Sequence, residues 1–189
     1  MSVHHKPLLT PEEYLAIERK AETKSEYFGG EIFLMAGASE RHNLIVANLV
    51  GEFRSQLKRR ACKVYPSDMR VKVQATGLYT YPDVVVVCGE PKFEDDHKDI
   101  LLNPTLIVEV LSESTEAYDR GKKFDHYRTL DSLSDYLLMA QDHPKVEYYA
   151  RQANGKWLLS VFNHLQEVIE LASVGCELPL NEIYDKVEL

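Results

Sequence analysis

Two acids stand where acids are costly. In YPDVVVVC, Asp83 opens a run of valines; in NPTLIVEVLSES, Glu109 interrupts Leu106, Ile107, Val108, Val110 and Leu111. A strand this apolar is usually covered on both faces, and an unpaired carboxylate there is expensive to bury. If the two strands are neighbours, the carboxylates converge. They then repel unless a cation lies between them or one takes a proton. A hard divalent ion such as magnesium suits oxygen ligands and keeps several waters. Each acid also has an ordinary reading: Asp83 as a strand-entry residue after Pro82, and Glu109 as half of an ion pair.

A lysine and a histidine extend the set. RGKKFDHYRTL, placed on a helix at about 100° per residue, turns Phe124, Tyr127 and Leu130 inward. Lys123 lies about 40° from the centre of that face and Lys122 about 140° away. Lys122 is therefore solvated, whereas Lys123 points toward the sheet, where an ammonium needs an anionic partner. Asp119 offers an ordinary i,i+4 pair, the two strand acids offer another, and spacing does not choose between them. His42 heads an apolar stripe with Val46, Leu49 and Phe53. It reads as a packed core histidine with one hydrogen bond, or as a holder of phosphate or metal-bound water, since imidazole carries protons near neutral pH.

Periodicity supplies the scaffold around these residues. TPEEYLAIERK opens with Thr10 as cap, Pro11 in the first turn and Glu13 closing a capping box. SEYFGGEIFLMAG predicts a hairpin turning at Gly29-Gly30. Its flanking acids, Glu26 and Glu31, read as surface residues unless the hairpin folds over the site. A long amphipathic helix comes next, with Ile45, Val46, Leu49, Val50, Phe53 and Leu57 as its stripe. Strands are expected at KVYPSDMRVKV, YPDVVVVCG, TLIVEVLS and SDYLLMA, with the RGKKFDHYRTL helix between the last two. Further strands lie around VEYYA, KWLLSVF and EVIEL, the first two joined through Asn154-Gly155, and a short helix at LNEIY. The order implies one α/β (α+β) domain over residues 1–189, with a mixed sheet and a core at about 37–141.

Composition excludes some classes. The chain has 189 residues, 44% hydrophobic and 28% charged, which suits one soluble domain with a sizeable core. No run approaches the roughly 18 apolar residues that span a bilayer, so no membrane partner is expected. The first fifteen residues lack the apolar segment of a secretory signal. Three scattered cysteines, Cys62, Cys88 and Cys176, imply reduced thiols and a cytoplasmic setting. The net charge of −8 opposes general coating of nucleic acid. It leaves room for a local basic groove where Arg54, Lys58, Arg59, Arg60, Lys63, Arg70 and Lys72 cluster. The plainer reading of that cluster is a solvated helix end and its next strand, with the cations suited to a helix C-terminus.

The same segments also resemble a family. PD before VVVV, PTLIVEVLSEST, YDRGKKFDHYR and SDYLLMAQ, with EYFGGEIFLM, Ser39-x-x-His42 and GKWLLSVF, resemble the Uma-two family of restriction-endonuclease-like proteins. That family is placed in the PD-(D/E)xK nuclease superfamily. The resemblance implies a central mixed sheet flanked by helices, an αβββαβ core with extra N- and C-terminal strands. It makes Asp83 the acid of PD and Glu109 the acid of (D/E)xK, both as ligands of magnesium or manganese. The residue two after Glu109 is Leu111, so the lysine is expected to have moved to the next helix as Lys123. The implied reaction is metal-assisted phosphodiester hydrolysis by an endonuclease, with Asp83, Glu109, Lys123 and His42 catalytic and Ser112, Asp119 and Tyr127 supporting them. Tyr127 is expected to pack beside Lys123. Nucleic acid is the implied partner, DNA ahead of RNA, and a homodimer is left open. Two other classes stay in view: a degenerate nuclease fold serving as a binding or regulatory module, and a small-molecule hydrolase with a narrow acidic pocket.

Overall fold

The computed structural model describes residues 8–113 and 115–189. In chain order the elements are α1 (Pro11–Glu18), β1 (Ser25–Phe28), β2 (Glu31–Leu34), α2 (Glu40–Leu57), β3 (Cys62–Pro66), β4 (Arg70–Val73), β5 (Leu78–Thr80) and β6 (Val84–Cys88). Then come β7 (Ile100–Leu101), β8 (Leu106–Leu111), α3 (Glu116–Tyr118), a π-helical turn (Asp119–Lys123) and α4 (Phe124–Tyr127). The chain finishes with β9 (Asp135–Ala140), β10 (Val146–Arg151), β11 (Trp157–Phe162), β12 (Val168–Leu171), β13 (Cys176–Pro179) and α5 (Leu180–Ile183).

Local chemistry sets several boundaries. Thr10 and Glu13 form the expected capping box at α1. Gly29 and Gly30 adopt φ of 60° and 89°, the left-handed pair that a two-residue hairpin requires. Ser39 caps α2 by accepting from the His42 backbone N–H at 3.1 Å.

A six-stranded mixed sheet in the order β11-β10-β9-β8-β6-β3 carries the core. β8 and β9 are parallel, while β6 is antiparallel to β8. Alternation along β8 divides its side chains between two faces. Leu106, Val108 and Val110 pack with Ile45, Leu49 and Phe53 of α2 and with the β12–β13–α5 layer. Ile107 and Leu111 lie on the other face, against Val71, Val73, Leu78, Tyr127 and Tyr136. That second face is covered by a five-stranded sheet, β2-β1-β5-β4-β7, and by the α3–α4 segment. Glu109 shares the parity of Ile107 and Leu111 and so points between the two sheets.

The expected sheet with flanking helices and terminal strands is present. Three particulars differ. KVYPSDMRVKV contributes strands to both sheets, turning at residues 67–69. The helix after β8 is not a regular α-helix, because a π turn occupies Asp119–Lys123. The cysteines are not all reduced: Cys62 and Cys88 form a disulfide, leaving Cys176 as a buried free thiol. Spacing concealed the bond because these residues become cross-strand partners only in the β3–β6 register. The scattered cysteines therefore no longer imply a reducing compartment.

The bond closes a loop between residues 26 apart in sequence, which in the chain-entropy account is worth about 3 kcal/mol. Dithiothreitol is expected to lower the guanidinium unfolding midpoint accordingly. A Cys62→Ser/Cys88→Ser variant should match the reduced protein. Identical midpoints for oxidised, reduced and serine forms would show that the clamp adds nothing.

Candidate active site

β8 is buried along its whole length, and Glu109 within it is 4% exposed. Tyr127 of α4 donates its hydroxyl to Glu109 Oε1 at 2.7 Å. The Lys123 ammonium reaches the same oxygen at 2.9 Å. It also lies 3.4 Å from Asp119 Oδ1 and 3.2 Å from Glu26 Oε1. Spacing alone left Lys123 between Asp119 and the strand acid; the fold gives it both, with a third carboxylate from the N-terminal hairpin.

Glu26, read from the sequence as a surface residue unless the hairpin folds over the site, joins the cluster because the hairpin does fold over it. β1 pairs with β5 through Tyr27 and Tyr79, which swings the hairpin over β8. Thr80 of β5 then donates to Glu26 Oε1. The available signal was an acid beside a tyrosine in a short hairpin, a pattern that a surface hairpin shares. Glu31, at the far side of the turn, stays exposed.

Electrostatics follow from three carboxylates around one buried cation. Burial opposes the charge of Lys123, but Glu109, Glu26 and Asp119 outweigh it and hold the ammonium pKa well above its ordinary value. Burial raises the Glu109 pKa well above the carboxylate range, with Lys123 opposing and Asp119 and Asp83 adding repulsion. Burial also raises Asp119, against the pull of Lys123. Glu109 is thus the acid on which the surplus negative charge weighs most, and the Lys123 ammonium is what offsets it. Tyr127, buried beside Glu109, keeps its proton and remains a donor. Its hydroxyl goes to the acid, not to the lysine beside which it was expected to pack.

Asp83 sits one residue before β6, whose register sets Val84 against Val108 of β8. Continuing that register places Asp83 opposite Glu109. Asp83 Oδ2 accepts from the Val110 backbone N–H at 2.7 Å and meets His42 Nε2 at 3.1 Å. His42 therefore orients Asp83, while its Nδ1 is buried without a partner among the described residues. Ser112 bonds Thr115 just past β8. It lines a cavity of about 700 Å³ with Glu40, Arg41, Glu113, Arg120 and Gln141. This cavity adjoins the carboxylate cluster without including it.

The donor set suits a hard cation that keeps much of its water. Bonds to each strand acid converge on one oxygen, leaving Asp83 Oδ1 and Glu109 Oε2 free among the described residues. No group of three or more His, Cys, Asp or Glu among the described residues is arranged to hold a metal. Two carboxylates with water and substrate phosphate completing the shell are typical of magnesium.

Comparison with known proteins identifies the frame. A family model, Uma2, described as "Putative restriction endonuclease", matches residues 11–181. The uncharacterized protein sll1609 of Synechocystis sp. is 41% identical over 153 residues, 81% of this chain and 86% of its own. A second Synechocystis sp. protein, slr1290, also uncharacterized, is 38% identical over 178 residues, covering 94% and 92%. A crystal structure from Anabaena variabilis, described as "a putative nuclease belonging to DUF820", superposes with a TM-score of 0.77 at 20% identity. It covers 94% of this chain and 98% of that one. The fold is restriction-endonuclease-like.

Removing one partner of a buried ion pair typically costs about 3–5 kcal/mol. Lys123→Met is therefore expected to destabilise the protein by about that much, and Glu109→Gln in the same background to recover part of the loss. Urea unfolding of the two single variants and the double variant measures the coupling. Strictly additive effects would mean that the two groups do not interact.

Proposed function

The chain belongs to the Uma2 family of restriction-endonuclease-like proteins, and from that premise we propose that it is a metal-dependent endonuclease hydrolysing phosphodiester bonds of nucleic acid. The carrying observation is that Lys123, outside any ExK spacing, brings its ammonium to 2.9 Å from the Glu109 carboxylate. Acid and lysine thus meet in space although the linear motif is broken.

Asp83 and Glu109 would hold magnesium or manganese. The bound ion supplies a water of lowered pKa and positive charge against the phosphate oxygens. Glu109 would bind the ion as a carboxylate, so the ion's charge would favour its ionised form. Lys123 is placed to donate to a phosphate oxygen as charge develops there, or to orient the attacking water. Tyr127 fixes the Glu109 carboxylate and His42 fixes Asp83, the role of groups that support metal ligands. Asp119 and Glu26 keep Lys123 charged.

DNA is the proposed substrate ahead of RNA, in line with the family description. A homodimer would join along β11. This strand is an edge of the six-stranded sheet and exposes Leu158, Leu159 and Val161, and an open apolar edge is a template for pairing with another chain. Among the described residues no helix is long and apolar enough to cross a membrane. The second reading, a non-catalytic binding module, is favoured by one observation: Lys123 and Glu109 are 5% and 4% exposed and satisfy each other.

Calorimetric titration of magnesium and manganese separates the two readings. Saturable binding is expected for the wild type and its loss in Asp83→Asn/Glu109→Gln. Cleavage of plasmid DNA should fall about 10²–10³-fold in Lys123→Met. No ion binding, or binding unchanged in the double variant, would leave the binding-module reading standing.

A further inference from the structure

The basic cluster read from the sequence divides in the fold. Arg70 is buried on the Tyr81 hydroxyl and pairs with Asp99 at 3.5 Å. Lys72 pairs with Glu94. Both are committed to structure. Arg54, Lys58, Arg60 and Lys63 instead line one trough of about 560 Å³ between α2 and the edge strand β3, together with Tyr65. No acidic residue among the described residues lines it. The larger cavity near the end of β8 instead mixes the two signs, with Glu40, Glu113, Glu116 and Asp142 beside Arg41, Arg120 and Lys145 in its wall. In a chain of net charge −8, an acid-free cationic trough is a local reversal of sign.

A solvated helix end explains part of this. Cations near the α2 C-terminus are favoured by the helix dipole. That account does not reach Lys63, which is exposed on the edge strand β3 with the parity of Tyr65 and so on the side of the strand away from α2. Nor does it explain why Arg60 is fixed. The Arg60 guanidinium donates to the Val174 carbonyl at 3.1 Å and fills the space above Gly175. Gly175 has φ of +64°, and a Cβ there would lie 1.9 Å from Arg60 Nη1. One cation is thus locked in the trough, while Arg54, Lys58 and Lys63 have no carboxylate partner among the described residues.

The trough lies on elements that lead away from the candidate site, α2 from His42 and β3 through its pairing with β6. Lys63 of β3 faces Val87, four residues from Asp83, roughly 13 Å along the strand at about 3.3 Å per residue. α2 begins at the Asp83 contact of His42. It reaches Lys58 sixteen residues later, roughly 24 Å at 1.5 Å per residue. B-form DNA places one phosphate about every 3.4 Å along each strand. Lys63 and Lys58 therefore stand roughly four and seven phosphate spacings of a duplex strand from Asp83.

We propose that the trough between α2 and β3 is the track for the phosphate backbone of the nucleic acid whose bond lies at Asp83 and Glu109. The proposal rests on the nuclease reading and adds where the substrate runs. Its contacts go to phosphates and carry no sequence information; they set affinity and its salt dependence.

The test is equilibrium binding of a labelled 30-base-pair duplex in EDTA, over a range of salt, with the full chain. Each phosphate contact contributes about 0.9 to the slope of log K against log salt. Arg54→Gln/Lys58→Gln/Lys63→Gln is expected to reduce that slope by about 2 to 3. Lys20→Gln/Lys156→Gln/Lys186→Gln, with the same charge change elsewhere, is expected to leave it unchanged. Both variants should melt like the wild type, their substituted side chains being exposed. An unchanged slope in the trough variant, or an equal reduction in both variants, overturns the track. If the wild type still cleaves plasmid DNA in that case, the nuclease reading survives and the track alone fails. Absence of both binding and cleavage in the wild type overturns both.

Discussion

A buried ammonium must be surrounded by acceptors or lose its charge, and Lys123 shows what that demands of a chain. Desolvating such an ion costs several kcal/mol. Three elements far apart in sequence meet the demand: β8 with Glu109, the π turn with Asp119 and the N-terminal hairpin with Glu26. The hairpin reaches the cluster only because β1 pairs with β5, and β8 reaches it only because strand alternation turns Glu109 away from α2. One charge and its neighbours thus join the two sheets and the helical segment at a single point.

Asp83 belongs to a second, lighter arrangement on the same sheet. Its carboxylate is fixed by a backbone donor of β8 and by the first turn of α2, whose cap is Ser39. One acid is therefore tied to the α2 layer and the other to the opposite layer, and they meet at the ends of neighbouring central strands. Electrostatically they are uneasy neighbours, since Asp83 contributes to raising the Glu109 pKa. An arrangement that carries this repulsion without a structural benefit is the kind associated with functional sites.

Much of this was legible in the chain. The capping box at Thr10, the Gly29-Gly30 turn, the α2 stripe and the apolar strands with their two acids all arise from local chemistry and periodicity. Helical phase alone turned Lys123 inward. What escaped was decided by register and by packing between distant segments. The Cys62–Cys88 pairing exists only once β3 lies on β6. Glu26 joins the cluster only once the hairpin folds over β5. His42, read as a core residue or a phosphate holder, bonds Asp83 because the first turn of α2 passes the end of β6. The basic cluster looked uniform as a string of letters, yet Arg70 and Lys72 enter partly buried ion pairs while Arg54, Lys58 and Lys63 remain exposed.

The π turn at Asp119–Lys123 carries its own consequence. Such turns widen a helix locally and concentrate at functional sites. This one delivers both Asp119 and Lys123 to the buried side of the segment. Winding the same five residues as regular α-helix would advance α4 by most of one residue's roughly 100°, carrying Phe124 and Tyr127 off their partners. One residue fewer would suit regular winding, so length and winding are set together. Between β8 and α4 the chain can therefore vary in letters at its exposed positions, Lys122 among them, far more freely than in length. Constraint there is counted in residues before it is counted in side chains.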